Sequence, residues 1–86
     1  MDETSIRGEV LAVLRAIAPE IDAARIDAAK PLRFQIDLDS MDWLNVLVGL
    51  QEKFGVPIPE ADYGKVTSLD GIVAYLGAGL AQRAGG

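Results

Sequence analysis

Apolar residues near the start of the chain fall at Ile6, Val10, Val13, Leu14 and Ile17, the i, i+4, i+7, i+8, i+11 spacing of one helical face. This predicts a helix from Thr4 to Ala18, stopped by Pro19. A second stripe, Trp43, Val46, Leu47, Leu50 and Phe54, predicts a helix from about Ser40 to Phe54. Asp39 is its expected N-cap, Asp42 adds negative charge to its first turn, and Gly55 supplies a left-handed stop. Leu69, Ile72, Val73, Leu76 and Leu80 predict a last helix reaching about Gln82, opened by Thr67-Ser68-Leu69-Asp70 in capping-box form. Gly71, Gly77 and Gly79 each cost that helix about 1 kcal/mol relative to Ala. Packing must therefore hold it, and a mobile tail is expected over 81–86.

The segments between these helices lack periodicity. From Pro19 to Asp39, Ile21, Ile26, Leu32, Phe34, Ile36 and Leu38 are spread around Pro31 and are expected to pin a long loop onto the helices. A connection of this length without structure is uncommon, so it implies a function or an unrecognised element, such as a single turn at Asp22-Ala23-Ala24-Arg25. The near-repeat of Ile21–Arg25 in Ile26–Lys30 is too short for a solenoid and reads as chance or local duplication. Pro57 and Pro59 bracket Ile58, and Glu60–Gly64 offers one short turn. With no strand alternation and no hairpin signal, the expected fold is all-α. It is a small four-helix bundle of three main helices and one short one, with a long loop between the first two, forming one domain over 1–86.

Composition narrows the function. At 86 residues the chain has room for a thin core and little room for a deep enclosed active site. Half of it is apolar and 24% is charged, which suits a folded domain. It contains neither cysteine nor histidine, so disulfide frameworks, zinc–thiolate sites and the commonest general base are excluded. A net charge of −5 disfavours nucleic acid and favours basic-surfaced protein partners. The N-terminal residues are acidic and no apolar run approaches a membrane span of about 18 residues. The expectation is a monomeric, soluble, cytoplasmic protein with no stable membrane insertion and no bound metal.

Asp39-Ser40-Met41, at the junction of the long loop and the second helix, is the most informative tripeptide. A serine hydroxyl needs a base to act as a nucleophile, and this chain supplies no histidine. Chemistry at Ser40 must therefore be done by another protein, which leaves a small hydrolase without support. The ordered set of segments resembles the acyl carrier protein family from about Ile6 to Leu80. It comprises a helix, a long loop, Asp-Ser-Met opening an apolar helix, Phe54-Gly55-Val56-Pro57-Ile58-Pro59, a short turn, and Lys65-Val66-Thr67-Ser68-Leu69.

The resemblance implies that Ser40 carries 4′-phosphopantetheine in phosphodiester linkage, with a terminal thiol that holds acyl groups as thioesters. A helix N-terminus suits that role, since its free amides and dipole favour a phosphate by about 0.3–1 kcal/mol. It also implies that Asp39 helps a phosphopantetheinyl transferase orient its target, a role that stands beside plain N-capping. The implied partners are that transferase and acyl-loading and acyl-processing enzymes. Met41, Leu44 and Val48 lie beside the core stripe of the second helix and form, with Asp42, Asn45 and Glu52, an expected docking surface. The alternative is that Met41, Leu44 and Val48 pack under the loop from Leu32 to Leu38.

Two departures from the family pattern bear on partners. Ile36-Asp37-Leu38-Asp39 lacks the small residues usual before Asp-Ser, and the second helix keeps only Asp42 and Glu52 as acids after Ser40. Weaker electrostatic steering points to a dedicated partner set rather than the general fatty-acid enzymes. The resemblance implies a place in fatty-acid or specialised, polyketide-like biosynthesis. A peptidyl or aminoacyl carrier, or an unmodified interaction module of the same fold, are the alternatives. Trp43, Tyr63 and Tyr75 read as packing residues, the tyrosines with solvated hydroxyls, and Glu60 and Asp62 as a solvated face.

Overall fold

A computed structural model describes residues 2–85, and their side chains through residue 82. The expected all-α architecture is borne out: α1 spans Glu3–Ile17, α2 Ser40–Phe54 and α3 Leu69–Gly85, with short 3₁₀ turns at Ala23–Arg25, Leu32–Phe34 and Glu60–Lys65. No strand occurs among the described residues, where Pro31 and Ser68 form one isolated bridge. The expected tail overlaps the end of α3, whose helical backbone continues past Gln82 to Gly85; Gly86 lies outside the described residues.

Each helix starts on a side-chain acceptor. Asp2, unrecognised from sequence, takes the Ser5 amide on Oδ1 at 2.7 Å, so α1 opens one residue earlier than its apolar spacing predicts. That bond also holds the Asp2 carboxyl below its ordinary range. Asp39 caps α2 as expected, accepting from the Asp42 amide at 2.8 Å, and Gly55 ends it at φ 66°. The start of α3 corrects the sequence reading. Ser68, not Thr67, is the cap, its Oγ accepting from the Gly71 amide at 3.0 Å. The third residue after the true cap is a glycine, so no carboxylate reaches back to complete a box.

α1 packs against both α2 and α3. Ile6, Val10 and Leu14 face inward, while Val13 and Ile17 lie at the margin. The whole predicted stripe of α2, Trp43 through Phe54, is buried. Leu14, Leu47, Leu50, Ile72 and Leu76 are among the largest side chains fully removed from water. Lys53–Glu9 at 2.8 Å joins α2 to α1, and Arg7–Asp70 at 3.1 Å joins α1 to the start of α3. Both are partly solvated, so they orient the helices more than they stabilise them.

The helical glycines have separate explanations. A Cβ on Gly71 would lie 2.6 Å from the Lys65 carbonyl oxygen, and one on Gly79 would lie 2.5 Å from Val56 Cγ1, whereas one on Gly77 meets only Ile6 Cδ1 at 3.6 Å. Close approach of the Glu60–Lys65 turn therefore requires the glycine at 71, and nothing requires the one at 77. Gly71→Ala should destabilise by about 1–3 kcal/mol, while Gly77→Ala should stabilise by about 0.5–1 kcal/mol. Urea denaturation of the two variants checks both signs.

The long loop is built rather than slack. Its near-repeat makes the same turn twice: Asp22 Oδ1 accepts from the Ala24 amide and Asp27 Oδ1 from the Ala29 amide, both at 3.0 Å. Arg25 and Lys30 then pair back to Asp22 and Asp27 at 3.7 and 3.8 Å. Gln35 closes the second turn, accepting from the Asp27 amide at 2.6 Å while its Nε2 donates to the Asp27 and Lys30 carbonyls at 2.9 and 3.0 Å. The Leu32 amide donates to the Thr67 carbonyl and the Asp70 amide to the Ala28 carbonyl, tying the loop to the start of α3. Leu32, Ile36 and Leu38 are buried and Ile21 and Ile26 half-buried, as expected of pinning residues. Phe34 is the exception, 88% exposed.

Tyr75 and Asp62 also differ from expectation. The Tyr75 hydroxyl is not merely solvated: its one hydrogen goes to Asp62 Oδ2 at 2.6 Å, with the Pro57 carbonyl as alternative acceptor at 3.2 Å. Asp62 is half-buried rather than on a free face, and pairs with Lys65 at 3.4 Å. The tyrosine hydrogen bond, assisted by Lys65, holds the Asp62 carboxyl below its ordinary range, and the same bond raises the Tyr75 phenol. The stability that this pair contributes is therefore complete between about pH 4 and pH 10. It is lost as pH falls through the depressed carboxylate value, and again as pH rises through the raised phenol value. Tyr75→Phe should return the Asp62 carboxyl most of the way to its ordinary range and move acid unfolding to higher pH. Carboxyl titration by NMR and acid denaturation check this.

Candidate functional site

The loop, the N-terminus of α2 and one face of α2 meet at Ser40. Asp39 leaves the loop in extended conformation and its carboxylate turns back onto the Asp42 amide, so that Ser40 becomes the first helical residue. Ser40 is exposed, its Oγ open to an approaching protein. As in any helix, the first-turn amides have no backbone acceptor one turn earlier, so the dipole's positive end lies beside this hydroxyl. One cation stands close as well: Arg33 Nη2 donates to Ser40 Oγ at 3.4 Å.

Met41, Leu44 and Val48 are 69%, 42% and 50% exposed, which corrects the alternative of packing under the loop. Leu38, not these three, fills the space between loop and helix. Asn45 and Glu52 are exposed and continue the same stripe at i+4 and i+11 from Met41, while Asp42 is half-buried beside it. The structure thus brings Ser40 and the six expected surface residues onto one side of α2. Trp43, inside the first turn, faces the opposite way and is 7% exposed.

Two residues of interest here were missed from sequence: Arg33, which contacts Ser40, and Phe34, which follows it in the chain. Both lie on the 3₁₀ turn Leu32–Phe34, where Leu32 alone points inward. The available signal was alternation: Leu32, Ile36 and Leu38 share a parity with Phe34, but a tight turn between Pro31 and Gln35 breaks it. A groove of about 470 Å³ lies here, lined by Pro31, Arg33, Phe34, Leu38, Trp43 and Thr67.

A profile described as a phosphopantetheine attachment site matches residues 8–76, which takes in all of this geometry. The chain belongs to the acyl carrier protein family. Its similarity to an acyl carrier protein of Campylobacter hominis is 33% identity over 61 residues, covering 71% of this chain and 72% of that one. An acyl carrier protein of Helicobacter pylori (strain G27) is 30% identical over 56 residues, covering 65% and 72%. The acyl carrier protein 2, mitochondrial, of Arabidopsis thaliana is 26% identical over 76 residues, covering 88% of this chain and 60% of the relative. The chain therefore spans less than two thirds of that plant protein.

Acyl carrier proteins are carriers rather than catalysts, and membership implies a covalently attached 4′-phosphopantetheine. The residues at the start of α2 fit such a group: an exposed hydroxyl, a positive helix end, and a guanidinium within reach of an esterified phosphate. Members of the family work with enzymes, and the exposed face of α2 in this chain carries three apolar side chains, Met41, Leu44 and Val48. No described helix is long and apolar enough to cross a membrane, and no described acid cluster is arranged to hold a metal ion.

Proposed function

We propose that Ser40 Oγ is the attachment point of 4′-phosphopantetheine, and that residues 1–86 act as one monomeric, non-catalytic carrier domain for acyl intermediates. The observation that carries this is an exposed serine at the first position of an Asp-capped helix, inside the span matched by the attachment-site profile. The thiol of the bound group supplies thioester chemistry that a chain with no cysteine lacks. Ser40 Oγ attacks the pantetheine-side phosphorus of coenzyme A, the pyrophosphate bond breaks and adenosine 3′,5′-bisphosphate leaves. The serine proton goes to a base of the phosphopantetheinyl transferase, because this chain has no histidine. Asp39 holds the helix start in register and presents it to the transferase.

Acyl-loading and acyl-processing enzymes of fatty-acid or specialised, polyketide-like biosynthesis dock on Met41, Asp42, Leu44, Asn45, Val48 and Glu52. Three of these are exposed apolar side chains and only two are acidic, so docking gains more from apolar burial than from charge. Raising salt should accordingly weaken partner binding only slightly. A cytoplasmic location belongs to the same proposal, although the Arabidopsis relative is named as mitochondrial.

Incubation with a broad-specificity transferase and coenzyme A, followed by intact mass measurement, is the test. A gain of one phosphopantetheinyl group, mapped by peptide fragmentation to Ser40, is expected, and an unchanged mass overturns the reading. The exposed stripe also favours a second reading, an interaction module that is never modified. Full biological activity in Ser40→Ala would favour that one.

A further inference from the structure

Among the described residues, Arg7, Arg25, Lys30, Lys53 and Lys65 each have a carboxylate partner, while Arg15 and Arg33 have none. What sets Arg33 apart is its place beside the site, where its guanidinium contacts Ser40 Oγ at 3.4 Å. That contact is long and weak for a hydrogen bond to a neutral hydroxyl. The spacing suits a larger, anionic group on the same oxygen. Next to Arg33, Phe34 is 88% exposed, the most exposed large apolar side chain among the described residues, and it lines the groove together with the buried Leu38 and Trp43. Leu32 is fully buried and its amide is held by the Thr67 carbonyl at 2.8 Å, so the turn that presents Arg33 and Phe34 is fixed in place.

We propose that Arg33 is a positioning residue that pairs with the phosphodiester on Ser40 and directs the pantetheine arm into the groove between Phe34 and Trp43. This rests on Ser40 as the attachment point. A guanidinium matches phosphate oxygens in a planar fork, and the diester keeps one negative charge at every physiological pH, so the pair does not titrate. The arm carries apolar methyl groups and hydrogen-bonding amides. The groove offers it aromatic and aliphatic walls with Thr67 at the edge. The Met41–Leu44–Val48 stripe stays uncovered for partner enzymes. Because the pair is exposed, its strength is that of a surface ion pair, roughly a fivefold change in the ratio of docked to free arm.

The test uses wild type, Arg33→Ala and Arg33→Lys, each before and after enzymatic loading, with intact mass confirming the loading. Amide and indole NMR shifts are then compared between the two states. In wild type, loading should shift Phe34, Leu38 and the Trp43 indole, and about 1 M salt should diminish those shifts. In Arg33→Ala they should fall roughly fivefold at unchanged mass gain, and Arg33→Lys should restore part of them. Wild-type shifts confined to residues 39–42, or full shifts retained in Arg33→Ala, overturn the proposal. A wild type that gains no mass overturns the Ser40 assignment and this inference with it, an outcome that the mass measurement separates from the others.

Discussion

Ser40→Ala should abolish uptake of the phosphopantetheinyl group completely while leaving the fold in place. The loss is total because, among the described residues, no other combines an exposed hydroxyl with the first position of a capped helix beside a guanidinium. Ser5 lies inside the first turn of α1, its amide held by Asp2, and Ser68 is spent as the cap of α3. Stability should change by no more than about 0.5 kcal/mol, since Ala is favourable inside a helix and the side chain lost makes only one long, exposed contact. Intact mass after transferase treatment reads the first effect, and urea denaturation the second. A variant that still gains the full mass would move the attachment elsewhere. A variant that unfolds would show that Ser40 holds structure that its exposure does not reveal.

The capping arrangement is the reason to expect modification and stability to separate at this site. The bond that starts α2 is made by Asp39 to the Asp42 amide, so the neighbouring hydroxyl is free of structural duty. A helix begun by Ser40 itself would have to choose between capping and carrying a substituent. Capping falls to Asp39, which leaves the hydroxyl of the adjacent Ser40 without that task.

How far the sequence discloses this structure depends on whether the information is periodic. The helices follow from spacing, because burial on one face of a 3.6-residue repeat leaves an unambiguous stripe, and all five predicted core residues of α2 are buried. The caps follow less well. Ser68 and Thr67 are similar in their chemistry as caps, and apolar spacing does not say that Ser68 is the one used. The loop was opaque, since its order comes from Gln35, whose three bonds with loop backbone leave no periodic trace. The site divides in the same way. Asp39, Ser40 and the apolar flank of α2 are readable from a helix start, whereas Arg33 and Phe34 reach the site through a 3₁₀ turn that alternation could not resolve.

Leu50→Ala should be the most destabilising single truncation in α2. Leu50 is fully buried in the core, in the helix whose other face carries the exposed Met41, Leu44 and Val48. Truncation removes its transfer energy and leaves a cavity, a cost of about 2–5 kcal/mol. At 86 residues the whole domain has roughly 4–13 kcal/mol of stability, so the variant stands at or near the threshold of folding. Chemical denaturation should show a much lower midpoint with the slope retained. Its comparison with Val48→Ala is the sharper part. Val48 lies two positions earlier on the same helix but is 50% exposed, and its truncation should cost less than about 0.5 kcal/mol while weakening partner binding. If both variants lost stability equally, α2 would not have one face turned to the core and the other to partners, and the assignment of Met41, Leu44 and Val48 to docking would fail with it.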